Sequence, residues 1–222
     1  MGMKIQTFLD DALFESEGVC PSIGHVVEAA RLRCQAGGRV LVEILLNDEA
    51  VTSEELSMPI GGGGGLSDAT EEGIDRLRMY SADPFDLVVE AAMGATDAIG
   101  RIEALQSEVA EMIQSGYTGE SMPKLLELME VWQQVQQCVD EGGSLIGIDV
   151  GDFRAADDVV DDSIRALTAQ LTVMREALTN GDWVVLSDCL AYEMGAVADQ
   201  WRQLLDAFME QVEVKRAARL AG

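Results

Sequence analysis

The stretch TNGDWVVLSDCLAYEMGAVADQWRQLLDAF, which spans Thr179–Phe208, decides the fold of the C-terminal half of this chain. Its larger apolar side chains recur at alternating steps of four and three residues, at Leu190, Met194, Val197, Trp201, Leu204 and Phe208. This spacing puts them on one face of a helix. Gly181 and Asp182 are typical of the end of one helix and the N-cap of the next.

The residues before this turn carry a matching pattern. We expect a helix from Asp152 with a second apolar stripe at Val160, Ile164, Leu167, Leu171, Met174 and Leu178. Two such stripes joined by a tight turn predict an antiparallel helical hairpin.

A second pair of helices is predicted upstream. Asp83 and Pro84 are typical of an N-cap and a first helical residue. An apolar stripe then runs to Gly116, and another helix is predicted from about Ser121. The segment Gly142–Gly151 is interpreted as a connection between helices. Together the four helices predict an antiparallel four-helix bundle over residues 83–218.

Residues 1–81 predict a small mixed domain instead. KIQTFL and ALFESE flank Asp10–Asp11 and suit a short hairpin, and Ser22 opens a helix through IGHVVEAARLRCQA. RVLVEILLND is rich in β-branched residues, and DRLRMYSA reads as a last strand. The predicted order is ββαββ, so the whole chain is expected to be an α+β protein.

Composition and charge narrow the classes of partner. The 222 residues are 48% hydrophobic and carry a net charge of −25. Such a surface repels phosphate backbones and anionic lipid, so we expect no nucleic-acid and no membrane partner. The opening residues lack a basic segment followed by an apolar run, and the four cysteines have no close pairing. These features predict a cytoplasmic protein with reduced thiols.

Two motifs suggest phosphate or metal chemistry. The glycines at Gly61–Gly65 are followed by acidic residues and no lysine, which favours a loop over a phosphate cradle. The sequence DDVVDD at Asp157–Asp162 places Asp157, Asp158 and Asp161 on neighbouring helical faces, as in enzymes that hold diphosphate through Mg²⁺. Acidic residues near a helix N-terminus are also stabilised by the helix dipole alone, so both interpretations stay open.

Other catalytic groupings are absent from the sequence. His25 is the single histidine, which excludes Glu-x-x-His metal pairs and Ser-His-Asp or Cys-His catalysis in the helical half. We expect no cofactor.

A candidate contact face lies beside the apolar stripe of the last helix. Asp188, Tyr192 and Asp199 share a second face of this helix at steps typical of one side. A tyrosine there is a plausible partner-binding residue because tyrosine offers a large contact area. The alternative is a tyrosine that packs on an adjacent helix.

The pattern G-D-W-V-x-L-S-D-x-L-x-Y-E-M, followed by a tryptophan seven residues later, occupies Gly181–Trp201. It resembles the C-terminal signature of a family of uncharacterised bacterial proteins with a small N-terminal mixed domain and a helical C-terminal half. The resemblance implies this fold organisation and no activity.

These observations predict a non-catalytic interaction module, an adaptor or chaperone-like binder, with a basic protein partner or a second copy of the chain as the alternatives. The competing hypothesis is a Mg²⁺-dependent enzyme that acts on a diphosphate through the Asp157–Asp162 cluster.

Overall fold

The computed structural model describes residues 5–15, 22–51, 56, 75–149 and 158–221. The chain divides into two compact units, Met1–Pro84 and Phe85–Gly222. The first unit carries a sheet and the second is helical, so the protein is of mixed α+β class. The glycine run lies outside the described residues.

The first unit contains a five-stranded sheet in its described part. The strands are β1 Ile5–Leu9, β2 Ala12–Leu13, β3 Val40–Leu46, β4 Glu49–Ala50 and β5 Asp75–Ala82. Their order across the sheet is β2-β1-β5-β3-β4, with β1 parallel to β5 and the other neighbours antiparallel. The predicted ββαββ order is therefore wrong, because the described elements follow ββαβββ. The additional strand, β4, has two residues and no hydrophobic pattern of its own.

Two tight turns explain how the outer strands form. Asp10 and Asp11 both have positive φ, as do Asn47 and Asp48, the conformation of two-residue hairpin turns. The Asp10 carboxylate accepts hydrogen bonds from the backbone N–H and the hydroxyl of Ser81, at 2.7 and 2.6 Å. The Asn47 side chain accepts one from the backbone N–H of Arg76, at 2.9 Å. Both hairpins are thus tied to the central strand β5.

In the described part of the first unit, helix α1, Ile23–Ala36, packs on this sheet. It begins after Ser22, whose hydroxyl accepts a hydrogen bond from the His25 backbone N–H. The predicted helix and its N-cap are confirmed. The buried core of the unit consists of side chains from this helix, from the β-strands and from the residue after β2: Phe14, Ile23, Val26, Val27, Ala30, Leu46, Leu77 and Met79.

The second unit has four long helical segments in its described part. They are α2 Pro84–Gln114, α3 Thr118–Leu145, α4 Asp158–Asn180, and a segment in which α5 Trp183–Asp188 continues through a π-helix, Cys189–Glu193, into α6 Met194–Ala221. The expected start of α4 at Asp152 lies outside the described residues. Within the described residues, no helix is both long enough and apolar enough to cross a membrane.

Contacts along the helices fix their directions. Lys124 on α3 pairs with Glu108 on α2 at 2.9 Å, so these helices run antiparallel from the turn that joins them. Arg202 on α6 pairs with Glu103, and Arg216 with Asp86, both at 2.6 Å. Because higher residue numbers on α6 meet lower ones on α2, these two helices are also antiparallel.

Helix α3 is longer than the sequence predicted at both ends. It begins at Thr118 instead of Ser121, and it continues through Gly142 to Leu145. The prediction that the connection starts at Gly142 is therefore wrong. A Cβ atom on Gly142 would lie 3.5 Å from a methyl group of Val88 and 3.8 Å from the Phe208 ring. This close packing of the helices compensates for the weak helix propensity of glycine.

Candidate functional site

The candidate site lies on the helical segment that follows the turn at Gly181. Gly181 has a φ of +67°, which ends α4 in the left-handed conformation that glycine adopts without strain. The Asp182 side chain then accepts a hydrogen bond from the Val185 backbone N–H at 3.1 Å. The predicted glycine stop and aspartate cap are both confirmed.

The inner face of this segment is anchored by Trp201, which is 2% exposed. Its indole N–H donates a hydrogen bond to the Ser163 carbonyl of α4, at 3.2 Å, and the Ser163 hydroxyl donates to the Gln200 carbonyl at 3.3 Å. The Trp132 ring of α3 meets the Trp201 ring edge-on, with the centroids 5.8 Å apart. These contacts fix the rotation of the segment and therefore which side chains face outward.

Tyr192 is one of the outward-facing side chains and is 72% exposed. It lies in the π-helix, and Asp188 directly before that π-helix is also exposed. Asp199 is exposed as well, but its carboxylate accepts a hydrogen bond from Arg202 at 2.8 Å. Of the two carboxylates, Asp188 therefore offers the less compensated negative charge.

Exposed apolar side chains precede this face on α5. Val184 is 69% exposed, and Trp183 and Val185 are also exposed. Val184 and Asp188 are four residues apart in the same helix, so they lie on one side of it. The surface around Tyr192 thus combines apolar area with the exposed carboxylate of Asp188.

The comparisons with known proteins place most of this helical unit in one family. A family model described as a domain of unknown function, DUF8042, matches residues 94–204, which is half of the chain. The chain belongs to the DUF8042 family. No curated protein and no solved structure matches the chain. The DUF8042 match begins within α2 and includes Trp132, Trp201 and Tyr192.

Cys189 is a nucleophilic residue type inside the DUF8042 match, and its environment suppresses its reactivity. Its thiol donates a hydrogen bond to the Gln170 side-chain oxygen at 3.4 Å. Burial, together with the nearby Glu193 carboxylate, raises the pKa of the thiol to about 11. The group is therefore a neutral, packed thiol near pH 7.

The acidic cluster is described only in part. Asp157 lies outside the described residues, and Asp158 is the first residue of α4. Asp161 accepts a hydrogen bond from Arg165 Nε at 2.9 Å, and the same guanidinium lies 3.5 Å from Asp162. A cation bound through Asp161 would have to compete with Arg165. Across the described residues, no three His, Cys, Asp or Glu side chains come together in a metal-binding arrangement.

A groove that the sequence patterns did not predict lies between α2 and α3 and has a volume of about 660 Å³. Its α2 wall contains Ala91, Gly94, Ala95 and Ala98. All four are alanine or glycine, at helical steps of three and four, and this spacing is the signal that could have been noticed in the sequence. The steps alone do not distinguish a groove from a close helix contact.

Proposed function

We propose that the helical unit is a four-helix bundle that acts as a non-catalytic protein-interaction module, and that its partner binds the face formed by Asp188, Tyr192 and Asp199. The observation that carries the proposal is the 72% exposure of Tyr192 on a segment whose other side is locked by Trp201. A large aromatic side chain held at the surface by a rigid helix offers binding area at low entropic cost.

The charge of this face indicates the kind of partner. The chain has a net charge of −25, and the exposed Asp188 places part of this negative charge on the proposed face. A basic protein surface is therefore the complement that we propose. Its association should weaken as salt screens charges over a Debye length of about 8–10 Å.

The test is affinity capture of the partner from the extract of the cells that make this protein, with the intact chain as bait. Tyr192→Ala should reduce affinity by at least about 2 kcal/mol, roughly thirtyfold, which is the usual effect of a hot-spot tyrosine. The melting temperature should stay almost unchanged, because the side chain makes little packing contact.

Tyr117→Ala is the matched control. Tyr117 is also an exposed tyrosine, at 57%, but it lies in the turn between α2 and α3. This variant should retain capture. If both variants lose the partner equally, or if Tyr192→Ala lowers stability and capture in proportion, the proposed face is wrong.

A further inference from the structure

A second surface of the helical unit has the form of a binding groove. Its walls are supplied by α2 from Leu87 to Arg101 and by α3 from Gln134 to Leu145. Fourteen steps along α2 at about 1.5 Å per residue give a length of roughly 21 Å. A groove of this length accommodates about four turns of another helix.

Small and apolar side chains form most of the groove surface. The middle of the α2 wall consists of alanines and Gly94, and the α3 wall contains Val135, Cys138 and Gly142. A Cβ atom added to Gly94 would meet no atom within 4 Å, so space remains above the backbone there. Apolar side chains from a partner would replace water in this space, which is the driving force of helix-in-groove recognition.

The charges around the groove are mostly acidic. Glu141 lines it, and helical spacing puts Glu90 and Asp97 along the α2 edge and Glu130 along the α3 edge. All four are exposed, and none has an ion-pair partner among the residues that the structure describes. Unpaired carboxylates on both edges favour an occupant that brings positive charge to both of its flanks.

The two ends of the groove differ in charge because of Arg101. Arg101 lies at one end of the α2 wall and likewise has no ion pair within the described parts of the chain. Glu141 lies near the other end, because α3 runs antiparallel to α2. An occupant with an acidic residue at one end and basic residues elsewhere would match this distribution.

We propose that the α2–α3 groove binds a basic amphipathic helix of a partner protein, with the apolar face of that helix in the groove and its lysines or arginines against the acidic edges. This inference takes from the proposed function only the class of partner, a basic protein. The groove shares no residue with the Asp188–Tyr192–Asp199 face, so the two sites can be tested separately.

The probe is a fluorescent synthetic peptide of about 18 residues, with leucine and alanine at i, i+3, i+4 and i+7 and lysine on both flanks. We expect saturable binding to the intact protein that weakens with added salt. A peptide of the same composition without helical periodicity should bind at least about tenfold more weakly, and a version with glutamate for lysine should not bind.

The decisive variants are Gly94→Met and its matched control, Gly100→Met. Both glycines are exposed in α2 with nothing within 4 Å of an added Cβ, but only Gly94 lines the groove. Gly94→Met should fill the groove and weaken peptide binding by at least about tenfold, whereas Gly100→Met should leave it unchanged. Equal affinities for the two variants would mean general attraction to an acidic surface and would overturn the proposal.

Cys138 gives an independent readout because it lines the groove. Bound peptide should slow its alkylation by iodoacetamide, while the buried Cys34 of the first unit serves as the reference thiol.

Other occupants give different results, and each would overturn the proposal. A dimer of the chain that Gly94→Met dissociates would assign the groove to a second copy. Protection of Cys138 by dodecanoate, without protection by the peptide, would assign it to an aliphatic carboxylate. If the peptide does not bind the groove but capture of the partner still depends on Tyr192, the proposed function stands and only this inference is overturned.

Discussion

The two helical hairpins of the second unit are built from similar sequence patterns but pack differently. In the hairpin of α4 with α5 and α6, Trp201 enters the interface and bonds to the Ser163 carbonyl, so the two helices are interlocked. In the hairpin of α2 and α3, alanines and glycines occupy much of one side, and a groove of about 660 Å³ remains there. Side-chain size therefore decides whether the space between two antiparallel helices is filled or open.

The difference has a functional consequence. A filled interface contributes stability and fixes which side chains face outward, as Trp201 does for Tyr192. An open interface contributes less to the core but leaves apolar surface that a partner can cover. We therefore interpret the hairpin of α4 with α5 and α6 as the one that orients an exposed contact face. The hairpin of α2 and α3 has its own groove.

The strongest test of this comparison is Trp201→Ala. Emptying a large aromatic site in the core should lower the free energy of unfolding by about 3–5 kcal/mol. Chemical denaturation of the two proteins measures the change.

Trp183→Ala is the matched control, because Trp183 lies on the same helical segment but is 37% exposed. It should cost far less than the buried tryptophan. If Trp201→Ala lowers the free energy of unfolding by less than about 1 kcal/mol, the hairpin of α4 with α5 and α6 is not interlocked at this residue.

The next test compares one thiol from each hairpin. Cys189 belongs to the filled hairpin, and its pKa is raised to about 11 by burial and by Glu193. Relative to an unperturbed thiol with a pKa of about 9, its thiolate fraction near pH 8 should be about a hundredfold lower. Cys138 lines the open groove, and burial raises its pKa. Iodoacetamide should therefore label Cys138 well before Cys189, as followed by peptide mass spectrometry.

The same raised pKa predicts a dependence of stability on pH. Well below its unperturbed pKa of about 9, the Cys189 thiol is neutral in both the folded and the unfolded chain. As the pH rises toward 11, this thiol ionises first in the unfolded chain, which stabilises that state. The free energy of unfolding therefore falls progressively over this range. Cys189→Ser should reduce this alkaline loss. An unchanged alkaline unfolding curve, or equal labelling of both thiols, would contradict the assigned environment.

The smallest expected effects concern two glycines. Gly94→Ala in the open hairpin should raise the free energy of unfolding by about 0.5–1 kcal/mol, because alanine favours the helix and space is available. Gly181→Ala in the turn of the filled hairpin should lower it by about 1–2 kcal/mol, because its φ is +67°. Thermal melting measures both changes. Destabilisation by Gly94→Ala would mean that the groove is narrower than described.

Local patterns in the sequence predicted many of the individual elements. Ser22 and the apolar spacing after it predicted α1, and the segment DRLRMYSA was predicted as a strand with the bounds that β5 has. The turn at Gly181 and Asp182 was predicted from two residue types alone. Each of these features depends on conformational preferences within a few neighbouring residues.

The errors concern contacts between distant parts of the chain. β5 lies in the centre of the sheet because it pairs in parallel with β1, about 70 residues earlier, and no local pattern encodes that pairing. Gly142 stays helical because Val88 and Phe208 pack near it. The π-helix at Cys189–Glu193 was also missed, since the apolar steps on either side remain compatible with an ordinary α-helix.

The sequence by itself therefore determined the mixed class, the helical second half, the turn at Gly181 and the acidic surface. The tertiary structure decided the strand order, the exposure of Tyr192 and the groove between α2 and α3. The physical reason is that hydrophobic periodicity specifies which face of an element is apolar, but not which distant element covers that face. Where small side chains leave space, as at Gly94, only the positions of both helices show whether that space is filled.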